Sequence, residues 1–319
     1  MPIIVPEGLA AEPELRAQGV VVAGPSARHV GARRPLRVVL VNLMPDKPTT
    51  EHQIARLLGA TPRTVDLTLA IPETYRPKTV CPDYLRAVYT PWHRIRHRAF
   101  DGLIVTGAPI ETLPFAQVHY WDELTEIFDW ARSRVHRSLY LCWAAQAALN
   151  HYHGVPKHGL DEKLFGVFGH RALDGDHPLL RGFGGTFVAP VSRHTEVRAA
   201  DLPPGRGLAV LASSPEAGLC LIEDRRTRAT YMFNHLEYDT DTLLKEYRRD
   251  LAKGVPVPAP KYYFPDDDAT RPPTNGWRSY GRLLFRNWLA EIARDAARCD
   301  ALAQPDAAAV AGACRWSCR

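Results

Sequence analysis

The segment Ser138–Leu149, Ser-Leu-Tyr-Leu-Cys-Trp-Ala-Ala-Gln-Ala-Ala-Leu, contains the first candidate for chemistry in this chain, Cys142. Its apolar start predicts a buried strand, and its alanine-rich continuation predicts a helix. A cysteine at such a junction lies on a tight turn, where the amides and dipole of the first helical turn favour its thiolate. The same amides can stabilise the oxyanion formed when that thiolate attacks a carbonyl. A buried structural cysteine is the alternative.

A second candidate is the pair His235 and Glu237, which directly follows a predicted strand. Side chains two residues apart on extended or tightly turned backbone point to the same side. The Glu237 carboxylate would then bind one imidazole nitrogen, fix the tautomer and leave the other nitrogen for a nucleophile. Because the chain has 13 histidines, a solvated surface pair is the alternative. In combination with Cys142, the pair predicts a Cys-His-Glu triad.

The elements that must position these residues alternate between strand and helix. Residues 36–43 are apolar nearly throughout, as expected for a strand that is covered on both faces. A loop follows, then an amphipathic helix from Glu51 to Leu58 and a second strand over residues 64–70. This order is typical of a βαβ unit, so we expect an α/β fold with a mostly parallel sheet flanked by helices.

A glycine loop is predicted beside the cysteine. Residues 100–109 form a buried strand that ends in Gly107-Ala108-Pro109, and an amphipathic helix over 120–134 connects it to the strand before Cys142. Open α/β sheets bind ligands at the carboxyl ends of their strands, so the loop and the cysteine should face one crevice. Further strands are predicted over 187–197, 208–212, 217–222 and 229–234, and helices over 240–252 and 277–297.

The bulk composition excludes several classes of protein. The 319 residues carry a net charge of +5 with no long basic block, which does not imply nucleic-acid binding. Six irregularly spaced cysteines fit neither a disulfide scaffold nor a zinc site. We find no signal peptide and no apolar run long enough to span a bilayer, and therefore expect a cytoplasmic protein with a reduced Cys142.

Together these motifs give the chain a family resemblance. A strand followed by Cys-x-x-x-Gln and a later His-x-Glu resembles class I glutamine amidotransferase-like domains, which have a flavodoxin-like architecture. The fuller resemblance, over residues 36–292, is to the homoserine O-acyltransferase family (O-succinyl- and O-acetyltransferases) of methionine biosynthesis. The motifs that carry it are VNLMPDK (41–47), FDGLIVTGAP (100–109), CWAAQA (142–147), EKLFGV (162–167), SRHT (192–195), HLEYD (235–239), YFP (263–265) and WRSY (277–280).

The resemblance implies a two-step transfer of an acyl group. Cys142 would attack an acyl-coenzyme A thioester, and the L-homoserine hydroxyl would then take the acyl group, with His235 as base in both steps and Glu237 as its partner. The amide of Trp143 and one from Gly107 or Ala108 would hold the oxyanion. The family also implies that four further residues bind substrate: Lys47, Lys163, Ser192 and Arg249.

Glu111, just past the glycine loop, bears on the choice of acyl group. In the resembled family a small residue here accompanies succinyl transfer and glutamate accompanies acetyl transfer. A glutamate would also fill space and repel the succinyl carboxylate. We therefore expect acetyl-CoA as co-substrate and O-acetyl-L-homoserine as product. Succinyl transfer, serine as acceptor and, further off, a glutamine amidotransferase or hydrolase are the alternatives.

The remaining expectations concern organisation. We predict an N-terminal arm over residues 1–35, a single α/β acyltransferase domain over 36–297 and a disordered tail over 298–319. We expect no bound cofactor or metal and no nucleic-acid or membrane partner. The family further implies a homodimer.

Overall fold

A computed structural model describes residues 2–29, 33–77, 79–254 and 257–303. Its strands, in chain order, are β1 Ile3–Ile4, β2 Val22–Ala23, β3 Leu36–Val41, β4 Val65–Ile71, β5 Tyr89–Pro91, β6 Phe100–Val105, β7 Val135–Leu141, β8 His158–Ala172, β9 Thr186–Glu196, β10 Leu208–Ser214, β11 Gly218–Asp224 and β12 Ala229–Met232. Its helices are α1 Glu12–Ala17, α2 Lys47–Gly59, α3 Pro82–Val88, α4 Trp121–Arg134, α5 Trp143–His153, α6 Thr242–Ala252 and α7 Arg278–Ala303.

All twelve strands of the described residues join one sheet in the order β2-β1-β4-β3-β6-β7-β12-β11-β10-β8-β9, with β5 beside β4. From β2 to β12 the neighbours run parallel, and from β12 to β9 they run antiparallel. The predicted mostly parallel α/β fold is therefore confirmed. The antiparallel extension is built from the later strands of the chain.

The two faces of the sheet bury separate apolar clusters. Along β3, Val38 and Leu40 belong to the cluster under α2 and α7, whereas Val39 and Val41 belong to the cluster under α4 and α5. This alternation is the period-two pattern of a strand covered on both sides, which explains why residues 36–43 are apolar nearly throughout.

The carboxyl ends of four neighbouring strands, β3, β6, β7 and β12, form one edge of the sheet. Val41 pairs with Val105, Val105 with Tyr140, and Leu141 with Met232, so the residues that follow each strand lie side by side. The predicted glycine loop, Cys142 and the His-x-Glu segment therefore share a crevice, as the connection order requires.

Several elements differ from the sequence-based expectation. The segment predicted as an N-terminal arm adds two strands to the sheet, since β1 pairs with β2 and β4. Helix α2 begins at Lys47 instead of Glu51, because Asp46 caps it by accepting a hydrogen bond from the Thr49 amide at 3.2 Å. Residues 158–172, for which no element is predicted above, form the long strand β8.

The C-terminal boundary also differs. Helix α7 continues to Ala303, so the predicted disordered tail does not begin at residue 298, and residues 304–319 lie outside the described part of the chain. Among the described helices, none is both long and apolar enough to cross a membrane.

Candidate active site

Cys142 lies at the tight turn between β7 and α5. Its backbone adopts φ 50° and ψ −117°, an uncommon conformation for a residue with a side chain. The Cys142 amide donates to the Met232 carbonyl on the neighbouring strand at 2.7 Å, which holds the turn against the end of β12. The predicted turn between strand and helix is therefore present, with Cys142 directly before the first turn of α5 and 8% exposed, which is the geometry of an elbow that could present a nucleophile.

His235 and Glu237 lie directly beside this elbow. The His235 Nδ1 atom is 2.6 Å from Glu237 Oε1, and the Cys142 side chain is near enough to act on the ring electrostatically. Burial alone would lower the pKa of His235, but the charges of Glu237 and Cys142, together with hydrogen bonding, raise the pKa well above its ordinary value. The structure thus brings the three predicted catalytic residues together.

The backbone that carries His235 and Glu237 is held in place by hydrogen bonds and by close packing. The His235 amide donates to the Pro190 carbonyl at 2.9 Å, and an Arg56 guanidinium nitrogen donates to the Glu237 carbonyl at 3.0 Å. Helix α7 packs so closely that a Cβ on Gly281 would collide with the main chain of this segment. The imidazole and its carboxylate are therefore positioned by strand β9 and by helices α2 and α7, which cover one face of the sheet.

A buried polar network lies behind the histidine. Arg193 Nη1 donates to Asn234 Oδ1 at 2.7 Å, and Asn234 Nδ2 is 2.7 Å from His170 Nε2. Burial lowers the pKa of His170 to about 4, so its ring is neutral near pH 7 and its Nδ1 donates to the Phe168 carbonyl at 2.8 Å. Because Asn234 directly precedes His235, this network fixes the approach of the backbone to the triad.

The predicted oxyanion site also takes shape around the cysteine. A Cβ added to Gly107 would lie 3.1 Å from the Cys142 Cβ and 3.6 Å from the Trp143 amide nitrogen. The backbone of the glycine loop at Gly107 therefore packs directly against Cys142, which the lack of a side chain at Gly107 permits. The loop continues in Ala108. The space in front of the Trp143 amide is where a developing oxyanion could be stabilised.

Replacing Gly107 by alanine is expected to lower kcat/KM for acyl transfer about 100-fold, because the methyl group presses on the Cys142 Cβ and occupies space beside the Trp143 amide, and an oxyanion-hole donor contributes about this much. Gly169→Ala is the matched control, since a Cβ at Gly169 meets nothing within 4 Å. The measurement is steady-state kinetics, with Tm of both variants as a check on folding. A Gly107→Ala enzyme with wild-type kcat/KM would contradict this placement of the oxyanion.

The predicted substrate residues Lys163, Ser192 and Arg249 lie together in a charged cluster with Glu246 and Asp250. Lys163 Nζ is 2.9 Å from Asp250 Oδ2, and Arg249 contacts the same carboxylate at 2.7 Å. Ser192 Oγ donates to Glu246 Oε2 at 2.6 Å. Burial opposes ionisation of Asp250, but hydrogen bonds from Lys163 and Arg249 outweigh it and lower the pKa of Asp250.

Tyr238 connects this cluster to the triad. Its ring stacks on the His235 imidazole with 4.1 Å between centroids, and its hydroxyl donates to Glu246 Oε1 at 2.8 Å. A small cavity beside it is lined by His235 and Glu237 together with Thr106 and Gly107. Tyr238 thus joins the charged cluster to the imidazole beside Cys142.

The structure places Lys47 beneath the loop after β3. Its amine donates to the Asn42 carbonyl at 2.7 Å and to the Met44 carbonyl at 3.3 Å, and lies 4.9 Å from the centre of the Tyr75 ring. Burial lowers the pKa of Lys47 to about 7, although the nearby Glu51 opposes this. Met44 lines the cavity beside the triad, so Lys47 contacts the wall of the site and its amine is bonded to backbone.

Glu111 lies on the other side of the cysteine. Its Oε2 is 3.4 Å from Thr195 Oγ1, and the His194 amide also hydrogen-bonds its carboxyl. Burial raises the pKa of Glu111, although these hydrogen bonds and the charges of His194 and Arg193 oppose the rise. Thr195 in turn contacts Gln146, one helical turn beyond Cys142, so Glu111 is tied to the helix that carries the nucleophile.

Sequence reasoning missed Glu246, Asp250, Tyr238 and Arg193. A signal existed for the first two, because Glu246, Arg249 and Asp250 are three and four residues apart and share a face of α6. Arg193 lay within a quoted motif, but its burial and its electrostatic contact with Cys142 depend on tertiary packing.

Solved structures identify the class of fold. A glutamine amidotransferase from Thermotoga maritima superposes with a TM-score of 0.55 and 12% identity, covering 82% of this chain and 99% of that one. A glutamine amidotransferase from Methylobacillus flagellatus gives a TM-score of 0.51 and 10% identity over 80% of this chain and 94% of its own. The architecture is therefore that of class I glutamine amidotransferase-like proteins.

Sequence comparison identifies the family within that class. The family described as homoserine O-succinyltransferase matches residues 2–297. Proteins named homoserine O-acetyltransferase from Brucella canis and Brucella melitensis are each 50% identical over 292 residues, covering 92% of this chain and 95% of their own length. The chain belongs to the homoserine O-succinyltransferase family and is a homoserine acyltransferase, so the resemblance found in its motifs is confirmed.

Proposed function

We propose that this enzyme transfers the acetyl group of acetyl-CoA to the hydroxyl of L-homoserine through a thioester on Cys142. The observation that carries the proposal is the pairing of Cys142 with His235, whose other ring nitrogen is 2.6 Å from Glu237. A thiol next to such an imidazole can lose its proton and attack a carbonyl, and the carboxylate stabilises the resulting imidazolium.

In the first half-reaction, His235 takes the thiol proton and the sulfur of Cys142 bonds to the acetyl carbonyl carbon. The oxyanion is stabilised by the amides of Trp143 and of the Gly107–Ala108 loop. The bond from the acetyl carbon to the coenzyme A sulfur then breaks, and the leaving thiolate takes the proton from His235. One thioester replaces another, so the step is nearly balanced in energy.

In the second half-reaction, His235 accepts the proton of the homoserine hydroxyl, whose oxygen attacks the acetyl carbon. The bond to Cys142 breaks, its thiolate takes the proton back, and O-acetyl-L-homoserine leaves. The His235 imidazole therefore accepts and returns a proton in both half-reactions, first with Cys142 and coenzyme A and then with homoserine and Cys142.

The cluster of Lys163, Ser192, Arg249, Glu246 and Asp250 suits the amino-acid end of homoserine. Homoserine is a zwitterion, and the cluster offers cations for its carboxylate and anions for its ammonium group. The guanidinium of Arg249 is the natural partner for the carboxylate, because it can bind both oxygens at once. Glu246, which already accepts from Ser192 and Tyr238, is the partner that we assign to the ammonium group.

The acetyl donor is favoured by Glu111, whose carboxyl is linked through Thr195 and Gln146 to the helix that follows Cys142, and by relatives named homoserine O-acetyltransferase. Succinyl transfer by the same residues is the second candidate, because the matching family is described as homoserine O-succinyltransferase. A homodimer, a cytoplasmic location and the absence of a bound cofactor remain predictions.

The test is brief mixing of the protein with acetyl-CoA in the absence of an acceptor, followed by intact-mass and peptide mass spectrometry. We expect one added acetyl group on the peptide that contains Cys142, with release of one coenzyme A, and parallel lines in double-reciprocal plots of the complete reaction. Succinyl-CoA and glutamine serve as comparison substrates. An unmodified Cys142 peptide together with intersecting lines would rule out the covalent route.

A further inference from the structure

Two buried polar side chains follow one another beside the Glu111 carboxyl. Thr195, which is 4% exposed, lies between Glu111 and Gln146, which is 1% exposed and belongs to the start of α5. Thr195 Oγ1 is 2.8 Å from Gln146 Oε1 and 3.4 Å from Glu111 Oε2. The carboxyl of Glu111 is thus joined to the helix of Cys142 by a chain of two side chains.

The orientation of Gln146 is fixed by a second bond. Its Nε2 donates to the Thr195 carbonyl at 3.2 Å, which leaves Oε1 as the acceptor that faces the Thr195 hydroxyl. The Thr195 hydroxyl is the donor toward both Gln146 Oε1 and Glu111 Oε2, so its one proton is shared between these two acceptors. Gln146 therefore holds the hydroxyl in the position from which it reaches Glu111.

The other groups around the carboxyl leave Thr195 as its side-chain partner. The amide of His194 also donates to Glu111, and the charges of His194 and Arg193 act on it from β9. Lys157 donates to the main-chain carbonyl of Glu111 and so fixes the backbone of the loop. Thr195, held by Gln146, is then the side chain that, together with the His194 amide, holds the carboxyl in place.

We propose that Thr195 and Gln146 are specificity-determining residues, a clamp that holds Glu111 in the acyl pocket and thereby selects the acetyl over the succinyl donor. This rests on the proposed function, in which the acyl group lies beside Glu111. Without the Thr195 hydroxyl, the carboxyl loses its side-chain partner and can turn toward solvent, which opens room for the longer acyl group.

The test compares kcat/KM for succinyl-CoA and acetyl-CoA, with L-homoserine as acceptor, in the wild type, Thr195→Val and Thr195→Ser. We expect the succinyl-to-acetyl ratio to rise about tenfold in Thr195→Val, which has nearly the same shape without the hydroxyl, and to stay within about twofold in Thr195→Ser. An unchanged ratio in Thr195→Val, or an equal rise in Thr195→Ser, would overturn the clamp.

A double-mutant cycle with Glu111→Gly identifies the route of the effect. We expect Glu111→Gly to raise the ratio further, and Thr195→Val to add nothing once Glu111 is absent. Independent, multiplying effects of the two substitutions would show that Thr195 does not act through Glu111, and would overturn the proposal.

Two readouts separate this proposal from the proposed function. A wild-type enzyme that acylates homoserine with neither donor contradicts the function. The clamp is decided independently by a crystal structure of Thr195→Val, in which we expect a displaced Glu111 carboxyl. A carboxyl that stays in its wild-type position overturns the clamp, whichever donor the enzyme uses.

Discussion

Replacing Cys142 by alanine is expected to lower kcat/KM for acyl transfer by about 10⁴- to 10⁶-fold, because the group that carries the acyl chain between the two substrates is lost. What remains is the positioning of the substrates and the oxyanion donors, which cannot replace a covalent relay. The measurement is the steady-state rate with acetyl-CoA and L-homoserine, together with the mass of the protein after exposure to acetyl-CoA alone.

Cys81→Ala is the control for this substitution, since Cys81 is exposed and lies far along the chain from the triad. It should retain wild-type kinetics and still become acetylated. The loss of one sulfur atom at Cys142 should cost the fold little, about 1 kcal/mol or less, so Tm should change by only a few degrees. A Cys142→Ala enzyme with undiminished turnover would show that the acyl group moves directly between substrates.

Much of this site could be predicted from sequence because it is placed by strand ends. Apolar runs identified β3, β6, β7 and β12, and parallel strands bring whatever follows them to the same edge. Cys142 and His235 each come directly after such a run. The proximity of Cys142 and His235 therefore depends on the order of the strands in the sheet. The alternation of strands and helices in the sequence indicates a parallel sheet of this kind.

Other parts of the fold carry no such pattern. The first half of β8 is exposed or half-buried on both faces, so its residues show no alternation, and its glycines indicate a loop. Strands β1 and β2 have two residues each, which is too few for any periodicity. These strands exist because neighbouring backbone offers them hydrogen bonds, a fact that only the assembled sheet reveals.

The role of Lys47 shows the same limit at the level of one side chain. A family motif places this residue near the substrate, and the structure places it beside the site. Its amine nevertheless bonds to the Asn42 and Met44 carbonyls, under the rings of Tyr75 and Tyr89. Those partners come from three separate parts of the chain. The direction in which the Lys47 amine points therefore depends on tertiary packing, which the spacing of residues in a sequence motif does not reveal.

Glu237→Gln is expected to lower kcat/KM about 10³- to 10⁴-fold while leaving the fold intact, because Glu237 controls both the tautomer and the charge of His235. The wild-type carboxylate accepts from Nδ1 at 2.6 Å and so leaves the other ring nitrogen able to take the thiol proton. A glutamine amide can instead donate to Nδ1, which stabilises the tautomer that cannot accept that proton.

The same substitution should move the titration of His235. Among the influences on this buried ring, burial lowers its pKa, and the charge of Glu237 is the largest that raises it. Glu237→Gln should therefore lower the pKa of His235, which NMR titration of the imidazole can measure. A change in structure alone would not move this pKa in a set direction.

The sign of the stability change follows by linkage. Because the folded pKa of His235 is raised, its protonation stabilises the fold fully below the ordinary histidine pKa of about 6.5, and this contribution declines as pH rises through the folded value. The free energies of unfolding of the wild type and Glu237→Gln should thus differ most near pH 6 and converge at higher pH.

Glu126→Gln, on the exposed face of α4, is the matched control and should change neither the rate of acyl transfer nor the pKa of His235. If Glu237→Gln left both the rate and the titration of His235 unchanged, the carboxylate would have no part in the triad, and the imidazole would have to act on Cys142 alone.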